Sequence, residues 1–365
     1  MTIFKPLAAD DRVSTKTLLH EAIPITGTIV SGTYSDLNIQ DFTHGMFQSV
    51  YDYPYLSSSA NHIFDITFGT SKDSALAVTN QAAKKDNVYN QMAQVLMGYD
   101  QNGEIQKFDE DGDLTTTGDK LDDVTFLSFS RLLTKDEVKK GSFELEMGTN
   151  SDDTDPFTER IKILDFGGDT SFKVNSPAGE YGILYATASA GSGILDTSST
   201  HTASLSDGNT YWKAGLIYYQ AGVAVVTSSV FMASSEGGFL VNGNADWDIA
   251  SNSFTGSLIG EEISGSANGI RNRLYNVQFN NTIELNSTVY FCRAKHNEFN
   301  YSANPTYLSG SEIRVKNQGT DAPISYITSI GLYSADNQLL AVGKFSEPIR
   351  KDSNIELTFR ARLDY

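Results

Sequence analysis

The chain has 365 residues, and its 45 acidic against 27 basic side chains give a formal net charge of −18 at pH 7. Phosphate backbones bind proteins through Lys and Arg, so this balance argues against nucleic acid as a partner, and against docking on an anionic membrane. The one cysteine, Cys292, excludes an intramolecular disulfide, and no run approaches the ~18 apolar residues that span a bilayer.

Charged residues are 20% of the chain, below the usual share of about 25%. The balance is Gly, Ser, Thr and Asn with 18 Tyr and 20 Phe, a composition of strands joined by many turns. In chain order, Ile23–Val30 and Ile63–Phe68 alternate as strands, with an aromatic loop from Phe47 to Tyr55 between them. Ala75, Val78, Ala82, Val88, Met92, Val95 and Leu96 recur at helical spacing, which predicts a helix near 74–97 with a break at Asp86-Asn87 and a stop at Gly98. An acidic, Gly-punctuated loop over 100–123 leads to a strand at Val124–Phe129. A helical turn capped by Thr134 and a strand at Ser142–Met147 follow. The apolar block Gly215–Val226 reads as a hairpin turning at Gln220-Ala221-Gly222. Tyr275–Ile283 alternates over nine positions, Ile324–Phe345 reads as a second hairpin, and Ile355–Leu363 as a closing strand.

These elements predict a mainly β chain with a minor α+β part at its N-terminus, built as antiparallel β-sandwich domains. Three domains are expected: 1–160 with the main helix, a Gly/Ser-rich β domain over 161–270 that could be an insertion, and a C-terminal β domain over 271–365 that could pack with the N-terminal strands. No internal repeat is evident. The start of the chain shows no apolar segment of the secretory type.

Little in the sequence points to chemistry. Asp109-Glu110-Asp111-Gly112-Asp113 offers oxygen ligands, but a calcium loop places Gly sixth and Glu twelfth, whereas Gly112 is fourth and position twelve is Lys120. A solvated acidic loop is the simpler reading, with an irregular cation site as the alternative. The five histidines form no zinc pattern, and no nucleophile elbow or phosphate loop occurs. Cys292 lies in an apolar run and reads as a buried structural thiol. Trp212 and Trp247 could stack on sugars, though packing is the simpler role. No catalytic residue, metal ligand or cofactor is therefore expected. What remains is surface: Phe299, Tyr301, Pro305 and Tyr307, with Tyr53 and Tyr55, are the candidate contact residues, because interfaces are enriched in aromatics.

Several phrases carry a resemblance: 90–100 (NQMAQVLMGYD), 103–113, 129–137 (FSRLLTKDE), 140–145, 297–306 (NEFNYSANPT), 326–333 (YITSIGLY) and 339–344. Together they resemble the virion structural proteins of marine, T-even-like tailed phages, including cyanophages. The likeness covers about 90–145 and 275–365 well and the middle third loosely. The Phe-rich strand before Gly69-Thr70-Ser71 and the alternating last strand are similar to the T-even baseplate wedge subunit of similar length. The resemblance implies a non-enzymatic subunit, assembled in the host cytoplasm into a virion, whose partners are other tail or baseplate proteins and copies of itself. A neck, collar or fibre-attachment protein fits the same phrases, and a receptor- or carbohydrate-binding virion protein is the further alternative.

Overall fold

The computed structural model describes residues 4–21, 38–51, 53–74, 80–115, 118–130, 133, 137–150, 156–241, 262–302, 308–309, 312–313, 320 and 323–364. The strand expected at 23–30 and the cap Thr134 lie outside these. The first half of the chain forms β1 (Arg12–Glu21), β2 (Ile39–Asp41), β3 (Gln48–Tyr51), β4 (His62–Thr70), α1 (Ala82–Leu96), β5 (Asp123–Ser128), β6 (Glu137–Val138), β7 (Glu144–Gly148) and β8 (Arg160–Leu164). After the short α2 (Gly168–Ser171) come β9 (Lys173–Ser176), β10 (Gly179–Ala190), β11 (Thr202–Ser204), β12 (Thr210–Tyr218) and β13 (Val223–Thr227). The last third holds α3 (Ile263–Arg273), β14 (Leu274–Gln278), β15 (Asn281–Ala294), β16 (Leu308–Ser309), β17 (Glu312–Ile313), β18 (Ile324–Tyr333), β19 (Leu339–Asp352) and β20 (Leu357–Asp364). The protein is mostly β, with large antiparallel sheets and a small helical part.

The chain divides into two compact units, His20–Ile283 and Met1–Leu19 with Glu284–Tyr365. The larger unit is built on one sheet in the order β14-β7-β8-β10-β12-β13-β5-β4-β3-β2, with β9 on β10 and β11 on β12. The expected seams at 160 and 270 both fall inside this unit. Alternation buries Phe64, Ile66 and Phe68 of β4 and Ile161 and Ile163 of β8, while all five residues of β13 are buried. The Gly215–Val226 hairpin forms as expected, with Gly215 paired to Val226 and Tyr218 to Val223. A methyl at Gly215 would sit 1.9 Å from the Val225 carbonyl oxygen, so only glycine lets these backbones approach.

Helix α1 packs on β4 through Val88, Tyr89, Ala93 and Leu96, and Val95 faces solvent instead. A methyl at Gly69 would lie 3.0 Å from the Tyr89 amide nitrogen, which shows how closely helix and strand press together. The expected break at Asp86-Asn87 does not occur. Asn90 donates to the Asp86 carboxylate at 2.9 Å, one turn back along the same face, and ties the helix across that point. Two further expectations need correction. Glu137 belongs to a strand rather than a helical turn, and 275–283 is two strands, because the chain changes partners at Phe279-Asn280: β14 pairs with β7, and Asn281 and Thr282 of β15 pair with Val138 and Glu137.

In the smaller unit β15 lies between β1 and β20, and β18 pairs with β19 as a separate two-stranded ribbon. Cys292 faces Phe359 and Ala294 faces Leu357 in the β15–β20 register. Along β20, Leu357, Phe359, Ala361 and Leu363 are half-buried and the intervening residues exposed. Forty-nine of the fifty-one buried apolar side chains among the described residues belong to the larger unit. The smaller contributes Val289 and Ala294.

Candidate functional site

The acidic loop is folded by its own carboxylates. Asp109 Oδ1 accepts the backbone N–H groups of Asp111, Gly112 and Asp113 at 3.1, 2.8 and 3.3 Å. Asp111 then accepts from Asp113 N–H at 3.1 Å and Asp113 from Thr115 N–H at 2.8 Å. The carboxylates of Asp109, Asp111 and Asp113 converge to within 4.8 Å of one another. Counted from Asp109, these are positions one, three and five of a calcium-type loop. Leu114, at position six, adopts a φ of +59°, the backbone that the usual glycine supplies there.

Lys120, at position twelve, reaches back into this cluster. Its ammonium pairs with Asp109 Oδ2 and donates to the Thr115 carbonyl, position seven, at 2.6 Å. The groups at positions one and seven that would hold a divalent ion thus hold the chain's own cation. Burial opposes ionisation of Asp109, but the bonds from Lys120 and Asp111 outweigh it and lower its pKa. That of Asp111 rises because it hydrogen-bonds Asp109.

The neighbouring Glu110 turns away and is almost fully buried. Its carboxylate meets His201 Nδ1 at 2.5 Å and the Lys213 ammonium at 2.8 Å, and His201 Nε2 lies 3.1 Å from the Gly237 carbonyl. Both imidazole nitrogens face acceptors, so the protonated ring satisfies both, and the Glu110 bond raises its pKa. Asp119 completes this second group of candidate ligands. The cluster ties the acidic loop to the segments around His201 and Gly237, and its carboxylate is already neutralised by two cations.

A Ser, a His and an Asp also meet at Ser49, His62 and Asp65, but without the order that activates a nucleophile. Ser49 donates to Asp65 at 2.5 Å, and His62 Nε2 contacts the same oxygen at 2.7 Å, so the hydroxyl bonds the carboxylate rather than the imidazole that a triad places beside it. Cys292 is half-buried rather than buried, and burial pushes its thiol pKa up, away from a reactive thiolate.

Of the candidate contact residues, Tyr53 and Tyr55 are exposed in the larger unit and Phe299 and Tyr301 in the smaller, whereas Pro305, Tyr307 and Trp247 lie outside the described residues. Trp212 is 5% exposed and its indole donates to the Asp196 carbonyl at 3.0 Å, so it offers no face to a sugar. The segment carrying Phe299 and Tyr301 is held from beneath by Lys351. That fully buried ammonium donates to His296 O at 3.2 Å, Asn300 Oδ1 at 2.6 Å and Asp352 O at 2.8 Å, using all three of its protons. Sequence reasoning missed this anchor, and it missed a row of exposed apolar residues on β18 and β19: Tyr326, Tyr333, Leu339, Leu340 and Val342. The signal available was the run Leu339-Leu340-Ala341-Val342 directly after a polar turn.

No protein-family model, curated protein or solved structure matches this chain. Among the described residues no helix is long and apolar enough to cross a membrane.

Proposed function

We propose that this chain is a structural subunit that acts by protein–protein assembly rather than catalysis, and that its place is a tailed-phage virion, as a wedge-like component of the tail or baseplate. The observation that carries the assembly reading is the smaller unit: about a hundred residues, mostly strand, whose described residues include two buried apolar side chains. Two- and three-stranded assemblies need an apolar face covered by something before they are stable in water. A further protein surface is the natural cover, and it would fix the geometry of an assembled ring. The phage placement rests on the sequence phrases at 90–145 and 275–365. A neck, collar or fibre-attachment role would use the same surfaces. The carbohydrate-binding reading loses Trp212 as its platform.

The test is the mass of the protein in solution by light scattering, alone and mixed with the other tail proteins encoded beside it. A defined oligomer, or a complex with one tail component, is expected. A monomer that ignores every component would sink the reading.

A further inference from the structure

Charge is divided unevenly between the two units. The smaller carries 12 basic and 11 acidic residues, a net +1, and the larger 15 basic and 34 acidic, a net −19. Copies of the larger unit repel one another, whereas copies of the smaller approach without electrostatic cost, and a net charge near zero favours association.

Among the described residues, the near-neutral unit also carries a row of exposed apolar side chains on two adjacent strands. At the closed end of the β18–β19 ribbon, Tyr333 pairs with Leu339 and Gly331 with Val342. Leu340 and Val342 alternate on one face of β19 and are 67% and 61% exposed. Ten residues of β18 at about 3.3 Å each give a ribbon about 33 Å long, and two strands about 4.8 Å apart make it about 10 Å wide, so one face offers about 330 Å² toward the roughly 800 Å² per partner that a stable interface covers. On the other face Ile330 and Leu332 are half-buried and Phe345 packs on Phe359 of β20 with ring centroids 4.8 Å apart, so the face of β19 that carries Leu340 and Val342 is the open one.

We propose that the smaller unit associates with the same unit of a second copy of this chain, through the β18–β19 ribbon around Leu340 and Val342. This deepens the assembly reading by naming the partner and the surface. Contact residues at such a centre are apolar and aromatic with charges kept to the rim, as Tyr326, Tyr333, Leu339, Leu340 and Val342 provide.

The experiment uses the full chain. Light scattering at rising concentration is expected to give a multiple of the 39.8 kDa protomer mass. Leu340→Lys with Val342→Lys is expected to weaken association at least tenfold, while Val174→Lys, on an equally exposed residue of the larger unit, leaves the mass unchanged. Hydrogen exchange is read alongside: the amides of Ile324–Tyr333 and Leu339–Asp352 should be protected in the oligomer and lose that protection in the double variant. An oligomer that survives both lysines overturns the proposed surface. A monomer that binds another tail protein overturns self-association but leaves the assembly reading standing, and a monomer indifferent to all of them overturns both.

Discussion

Strand β13 reads Val-Ala-Val-Val-Thr and the start of β19 reads Leu-Leu-Ala-Val-Gly, equally apolar, yet every residue of β13 is buried and four of the five in β19 are exposed. The difference lies in what surrounds them. β13 runs between β12 and β5 in the middle of a broad sheet, and β19 has β18 on one side and no described strand on the other. Apolar strand sequence alone therefore does not tell whether a strand is covered within its own chain.

The sharpest way to test that contrast is to truncate one residue from each setting. Phe126 in β5 is buried against Phe108 and beneath Gly69. Phe126→Ala should cost about 3–5 kcal/mol in urea unfolding, the usual penalty for an emptied aromatic site. Leu340→Ala, measured on dilute protein, should stay within about 0.5 kcal/mol of the parent. A large loss at Leu340 under those conditions would mean that the ribbon has its cover within one chain.

Gly215→Ala probes the same core through the backbone. A methyl there meets the Val225 carbonyl oxygen at 1.9 Å, with backbone on both sides and no flexible side chain to yield. A loss of about 2–3 kcal/mol is expected, in the range of overpacked cores, seen as a lower urea midpoint with an unchanged slope.

Where sequence reasoning succeeded and failed follows from what a sequence encodes. Period-two alternation marks which side of a strand faces inward, and so β4 and the closing strand were legible, while the 215–226 hairpin showed as a continuous apolar block with a turn at Gln220-Ala221-Gly222. It does not mark the neighbour. Along 275–283 the parity persists while the pairing partner changes at Phe279-Asn280, which made one expected strand into two. Polar reach was equally hidden. Lys120 looked like the residue that spoils a calcium loop, and Lys351 lay between two expected strands with nothing to single it out. Each proved to be the cation around which a loop is organised. In the second case two of the three acceptors lie 51 and 55 residues away, beyond any local pattern.

The Lys120 arrangement gives a third prediction, confined to the larger unit. Lys120→Met leaves the buried Asp109 carboxylate without its cation and should cost about 2 kcal/mol, because the acceptor stays desolvated. Thermal melting of the parent should be indifferent to both calcium and chelator. Lys120→Glu supplies the carboxylate that calcium loops carry at position twelve, and its melting temperature should rise with millimolar calcium. A parent protein that melts earlier in chelator would show that the ammonium is not the cation the loop relies on.

The smallest effect is expected at His201, and its sign follows from the contacts. The Glu110 bond raises the folded-state pKa above the ordinary 6.5, with the Gly237 carbonyl adding to it against the opposing cost of burial. A proton held more tightly in the folded state stabilises fully below the unfolded value and ceases to do so as pH rises through the folded one. The melting temperature of the parent should therefore decline from about pH 6.5 upward through the raised value. His201→Gln, which can still donate one hydrogen bond to Glu110 but carries no titrating group, should remove that decline while starting from a lower melting temperature at pH 6. Equal slopes for parent and variant would mean that folding leaves the imidazole pKa at its unfolded value, and the Glu110 contact would then hold the proton no more tightly than water does.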